Sequence, residues 1–304
     1  MLNFGQLLEF ADKLPWRLKR IDVFAASRRA DACLRTREGQ MPLLEVHSPG
    51  TAPPTSRTRH YFLGAPFDTI AQDAAVDLVR NSESLDRFRY IVTPNVDHVV
   101  RLNGDRLLAP YYDDAWMSLC DSKPISTLSH AVALDLPLVT GSDLTARIFK
   151  TVIRSGDRIT LIAANSTVAE QMETMFPGVR FRSFVPPPNV LKDPAGLQAC
   201  VDFVAAEPAR FVFIAIGSPQ SEKIAYALAQ RPEACGVGLC IGASLEFLLG
   251  AKKRAPIWMR QLGLEWTHRL ASDPRRLWRR YVFAVGPLLQ LFAKELFTRR
   301  HLRR

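Results

Sequence analysis

The chain has 304 residues, 47% of them hydrophobic, and a formal net charge of +10. That length and apolar share fit one large domain or two small ones with a sizeable core, and exclude both a disulfide-stapled miniature scaffold and a disordered polar chain. The charge is local: residues 252–304 hold fourteen Lys and Arg against three acids, a net of +11, so residues 1–251 sum to −1.

Residues 1–60 read as an N-terminal appendage and linker: an amphipathic stretch at 4–20 leads into SPGTAPPTSRTR (48–59), rich in Pro, Ser and Thr. Acids and bases run through the first twenty residues, which lack the layout of a signal peptide. From Tyr61 to 250 short apolar runs alternate with helical patterns. Strands are expected at 88–95, 115–120, 158–164, 179–185, 209–217 and 236–244. Helices are expected near 68–81, 96–108, 124–134, 143–154, 166–176, 195–206 and 218–230. This alternation predicts an α/β fold, a Rossmann-like, mostly parallel sheet with helices on both faces. Residues 251–304 form a basic C-terminal appendage expected to be helical, with Trp258, Trp266, Trp278, Leu289, Phe292 and Phe297 among its bulky apolar residues. Basic and apolar residues interleaved in this way suit an anionic membrane surface. The longest apolar candidate, 281–293, is too short to span a bilayer. The five cysteines, at 33, 120, 200, 235 and 240, contain no C-x-x-C pair and point to a reduced, cytosolic protein.

Ligands of such sheets sit outside the carboxyl ends of the strands. The post-strand residues are Thr93-Pro94-Asn95, Asp121-Ser122, Asn165-Ser166, Gly217-Ser218-Pro219-Gln220 and Gly242-Ala243-Ser244. This small, polar, Gly-rich set suits a nucleotide or sugar. Asp121 reads either as a carboxylate that takes a proton from a reacting hydroxyl or as the N-cap of the helix near Pro124. Thr93 and Asn95 read as ligand contacts or as turn and cap residues, and Asn165 carries the same alternatives. Gly217 and Ser218 form a strand-to-helix turn able to face a phosphate, with Gln220 and Glu222 in reach of a nucleoside, or else a helix first turn enriched in acid. Gly141-Ser142-Asp143 reads as an N-cap. No Asp-x-Asp pair follows a strand, so no metal and no cofactor is expected.

Four segments together resemble the WecG/TagA/CpsF glycosyltransferase family: TPNVDHVVRLN (93–103), LVTGSDL (138–144), IGSPQSEKIA (216–225) and GASLEFLLGAKKRAPIWMRQLGLEWTHRLASDPRRLWRRY (242–281). The resemblance covers roughly 61–285, and its last segment is the most specific. It implies an inverting, metal-independent transfer of a sugar from a UDP-sugar to a polyprenyl-diphosphate-linked saccharide in cell-surface polysaccharide synthesis, at the cytoplasmic face of the inner membrane. The sugar would be of the N-acetylmannosamine type, its uronic acid, or a hexose. It implies Asp121 as the base with Thr93 beside it, and Asn95, Ser122, Asn165, Gly217, Ser218, Gln220, Glu222, Arg254 and Arg260 as substrate-binding residues. Arginines of the appendage would neutralise the departing diphosphate. The chain departs from the family pattern at Ser122, Ser221 and Glu246 and lacks a family Arg before LVTGSDL, differences that bear on the donor sugar more than on the reaction. Two rival classes stay in view: a basic nucleic-acid-binding α/β protein, and a dinucleotide-dependent enzyme on a Rossmann-like fold. The Trp- and Leu-rich tail and the missing G-x-G-x-x-G weigh against them, so no nucleic acid is expected as partner. A homo-oligomer is left open.

Overall fold

A computed structural model of the chain describes residues 57–82, 87–252, 255–256, 259, 267 and 274–302, with side chains of the last segment described over 285–299. The chain divides into two units, Met1–Pro54 and Thr55–Arg304. The first, and with it nearly all of the expected 1–60 appendage, lies outside the described residues.

The second unit opens with an antiparallel hairpin, β1 (Arg59–Phe62) and β2 (Ala65–Asp68), which the sequence reading does not anticipate. The hairpin is anchored by Asp68, whose carboxylate accepts from Arg59 Nε and Nη2 at 2.9 Å each and from the Ser118 backbone N–H at 2.8 Å. A carboxylate 2% exposed and held by a bidentate guanidinium is the paired burial that such a charge requires.

Then come α1 (Gln72–Arg80), β3 (Arg89–Val92), α2 (Val96–Gly104), the short α3 (Pro110–Asp113), β4 (Met117–Ser118), α4 (Lys123–His130), α5 (Gly141–Thr151) and β5 (Arg158–Ala163). They are followed by α6 (Ser166–Met175), β6 (Arg180–Phe184), α7 (Pro194–Ala205), β7 (Phe211–Ala215), α8 (Gln220–Ala229), β8 (Val237–Cys240) and α9 (Ser244–Leu248). The final described element is α10 (Pro274–Leu302).

Six strands form one sheet in the order β4-β3-β8-β7-β5-β6, and every pairing in it is parallel. A parallel sheet must be covered on both faces, and the apolar residues sort accordingly. Tyr90, Val92, Val212, Ile214 and Cys240 point to one core cluster, shared with α2, α7, α8 and the hairpin. Ile91, Phe211, Phe213, Val237 and Leu239 point to the other, shared with α1, α5 and α6. The period of two along each strand decides which residues meet which helices.

This topology also selects the place for a ligand. After β3 the chain turns into α2 on the first face; after the adjacent β8 it turns into α9, whose Leu245 belongs to the second. Neighbouring strands that leave by opposite faces open a crevice at their carboxyl ends.

Candidate functional site

Around that crevice the loops after β3 and β4 and the segment entering α5 are bonded to one another. The Asp121 N–H donates to Pro94 O at 3.1 Å, joining the loop after β4 to the loop after β3. Leu138 bridges Cys120 in parallel fashion, and the Val139 N–H donates to Cys120 O at 2.9 Å. The segment entering α5 therefore runs beside the end of β4 and delivers the first turn of α5 to Asp121. A Cβ placed on Gly141 would lie 3.1 Å from Thr93 Oγ1, 3.3 Å from Ser244 Oγ and 3.8 Å from Asp121 Oδ2. Three oxygen-bearing side chains from three post-strand loops thus converge on the amino end of one helix, whose open N–H groups and dipole favour negative charge. Asp121 is half-buried, while Thr93 and Ser244 are buried. The adjoining strand ends are dry: burial pushes the Cys120 thiol up to about 12 and the Cys240 thiol well above its ordinary value.

The structure settles which residues cap helices. Ser122, not Asp121, caps α4: its Oγ accepts from the Ile125 N–H at 3.3 Å. Thr140, not Gly141, caps α5; its hydroxyl accepts from the Asp143 N–H at 3.1 Å and donates to Asp143 Oδ2 at 2.7 Å. Asn95 caps α2, accepting from the Asp97 and His98 N–H groups at 3.0 and 3.4 Å. Asn165 caps α6 through the Val168 N–H at 3.0 Å, on the far side of β7 from β8. Each such cap contributes about 1 kcal/mol to its helix. Thr93 Oγ1 has only a long contact, 3.5 Å to Cys240 O.

A second polar group sits after β7. Gly217 has φ +85°, in the left-handed region that a residue with a Cβ adopts at a cost. The carbonyl of Ser218 accepts from Arg101 Nη1 at 2.8 Å, and Arg101 Nη2 donates to Asp97 Oδ2 at 2.6 Å. Ser218 Oγ lies 3.3 Å from the Tyr112 hydroxyl. Beneath the turn Glu222 is 2% exposed, with Oε2 lacking a hydrogen-bond partner. Burial pushes its carboxyl up to about 7, against the opposing pull of its own backbone N–H, Ser218 and the Arg101 charge. Gln220 Oε1 is also buried without a partner. Of the residues read from sequence as substrate-binding, Gly217 and Ser218 form the turn and Glu222 lies below it. Arg254 and Arg260 lie outside the described residues. Sequence reasoning missed Arg101 and Tyr112, which reach the turn from α2 and α3, and it read Gly141 as a cap. Ser244 was in view only as a post-strand residue.

Among the described residues no group of three or more His, Cys, Asp or Glu is placed to hold a metal ion. None of the described helices is long and apolar enough to cross a membrane.

Fold and site define an α/β protein with polar side chains gathered at the carboxyl edge of a parallel sheet. A family model described as "Glycosyl transferase WecG/TagA/CpsF family" matches residues 60–302. The chain belongs to that family. Its sequence is also similar to that of an N-acetylglucosaminyldiphosphoundecaprenol N-acetyl-beta-D-mannosaminyltransferase of Bacillus spizizenii, 33% identical over 146 residues. That alignment takes in 45% of this chain and 54% of the relative, so the chain spans about half the length of the relative it matches.

Proposed function

We propose that the chain transfers an N-acetylmannosamine-type sugar from a UDP-sugar to a hydroxyl of a polyprenyl-diphosphate-linked saccharide, in one inverting displacement. The observation that carries this reading is the convergence of Asp121, Thr93 and Ser244 on the first turn of α5 at the β3–β8 crevice. The acceptor oxygen attacks the anomeric carbon as the bond from that carbon to the UDP oxygen breaks. UDP departs with the bonding pair, and the acceptor proton passes to Asp121. A sugar hydroxyl is too weak an acid to lose its proton first, so a carboxylate at the point of attack lowers the barrier. Thr93 orients the reacting hydroxyl. The activity named for the Bacillus spizizenii relative supports the sugar and the lipid-diphosphate acceptor. Capping of α4 by Ser122 supports the base, because Asp121 is not needed for that task.

Two further parts of the reading concern charge and place. The departing diphosphate is neutralised by Arg residues, Arg254 and Arg260 among them, and the reaction needs no divalent metal. The protein rests peripherally on an anionic membrane at the cytoplasmic face. On α10, Val285, Leu289 and Phe297 are 54%, 49% and 66% exposed and follow a four-residue spacing with Ala293. Such an apolar ridge on a chain segment of net charge +11 suits insertion among anionic headgroups.

The test is a panel of UDP-sugars offered with a short-chain polyprenyl-diphosphate-N-acetylglucosamine, products read by mass spectrometry. Transfer from UDP-N-acetylmannosamine is the expected result. Transfer from none of the panel, with unaltered acceptor, overturns the reading. Liposome co-sedimentation checks the membrane part: Leu289→Glu with Phe297→Glu should release the protein from anionic vesicles.

A further inference from the structure

Gly141 sits at the first position of α5, buried, where post-strand side chains approach the helix closely. A methyl group there would press on Thr93 Oγ1 at 3.1 Å and Ser244 Oγ at 3.3 Å, both closer than ordinary van der Waals contact. The two neighbours are held unequally. Ser244 Oγ donates to Ile241 O at 2.6 Å, a firm bond, whereas Thr93 Oγ1 has only its 3.5 Å contact to Cys240 O. The hydroxyl that yields to an added methyl is therefore that of Thr93. Asp121 Oδ2, at 3.8 Å, is in ordinary contact and need not move.

We infer that Gly141 is a positioning residue for the transfer: its missing side chain lets α5 close on the β3–β8 crevice and holds the Thr93 hydroxyl where the acceptor meets it. This rests on the reading of Thr93 and Asp121 given above, and it assigns to the glycine a task beyond allowing a turn. The Gly141 backbone is in an ordinary conformation, its φ lying outside the left-handed region, so alanine meets no backbone strain. At a helix position alanine is in fact favoured over glycine by up to about 1 kcal/mol. A change that leaves folding intact while slowing chemistry is thus expected at this position.

The experiment compares wild type, Gly141→Ala, Thr93→Ala and the double variant. The assay uses the UDP-sugar that the wild-type chain turns over, with a short-chain polyprenyl-diphosphate-N-acetylglucosamine. Gly141→Ala should lower kcat about 10- to 100-fold, the scale of a reacting group displaced by a fraction of an ångström to one ångström. Its KM for the UDP-sugar should stay within about threefold and its Tm should be unchanged or higher. The double variant should be no slower than Thr93→Ala, because both changes remove the same hydroxyl placement. Normal kcat in Gly141→Ala overturns the inference. So do losses that multiply in the double variant while Thr93→Ala alone is impaired, and that result leaves the site reading standing. Full turnover by Thr93→Ala overturns the reading of Thr93 itself, and the inference with it.

Discussion

Two polar groups lie along the carboxyl edge of the same sheet, and they are built in opposite ways. At the β3–β8 crevice, Thr93, Asp121 and Ser244 come together across three loops, and the Thr93 hydroxyl has no firm bond of its own. After β7, Ser218, Arg101, Asp97 and Tyr112 bond chiefly to one another, over a Glu222 that is almost wholly enclosed. In the first group Ser244 is tied to the Ile241 carbonyl at 2.6 Å and the Thr93 hydroxyl is only loosely held, at 3.5 Å from Cys240 O. In the second, Arg101 and Tyr112 hold the Ser218 turn, above a Glu222 whose Oε2 has no partner. Polar residues after a strand are therefore not equivalent candidates for chemistry, and the difference lies in whom they bond.

The comparison breaks first at Asp121. Asp121→Asn keeps the shape and removes the base, and turnover should fall by about two to four orders of magnitude while UDP binding persists. Near-normal turnover in that variant would place the chemistry elsewhere. The turn after β7 should respond in stability instead. The Glu222 carboxyl is raised by burial from 4.5 to about 7. A carboxyl raised in the folded state contributes stability that is fully present below about pH 4.5 and is lost as the pH rises to about 7. Glu222→Gln carries no such loss. Relative to wild type it should gain on the order of 3 kcal/mol between pH 4.5 and pH 7.5, read from urea midpoints, with kcat little changed. A constant difference across that range would mean that Glu222 is not titrating there. Arg101→Met sharpens the same point, since the Arg101 charge lowers the Glu222 pKa. It should lower Tm by a few degrees and move the Glu222 titration upward. The smallest effect is expected from EDTA, which should leave initial rates within about twofold; activity lost to EDTA and restored by magnesium or manganese would reveal a ligand set absent from the post-strand loops.

Most of the fold was legible in the chain because strand and helix periods are local. The expected helix at 166–176 is found at Ser166–Met175, and the expected strand at 158–164 at Arg158–Ala163. The hairpin was not legible: RHYF and APFD are four-residue strands whose partner is each other, and the bond that fixes them runs from Asp68 to Ser118, fifty residues on. The site was legible by type and place but not by duty. Asp121 and Ser122 both suit an N-cap, and only the backbone path shows that Ser122 does the capping. Gly141 looked like the start of a helix, because nothing in VTGSDL says what its missing side chain faces. Glu222 reads from sequence as a nucleoside contact or a helix first-turn acid, and its burial beneath the Ser218 turn, at 2% exposure, was not legible there because it is set by tertiary packing.

The ring of Phe62 in β1 meets the ring of Phe292 in α10 edge to face, with centroids 6.4 Å apart, and Leu288 joins the same core. The earliest-made strand of the described chain is thus covered by nearly the last-made helix. During synthesis the hairpin leaves the ribosome long before its cover exists, and Phe62 must wait in water or against a chaperone until α10 has been made. The hairpin should accordingly finish folding only once α10 has emerged, and a chain stalled near residue 285 should be sticky at its hairpin rather than inert.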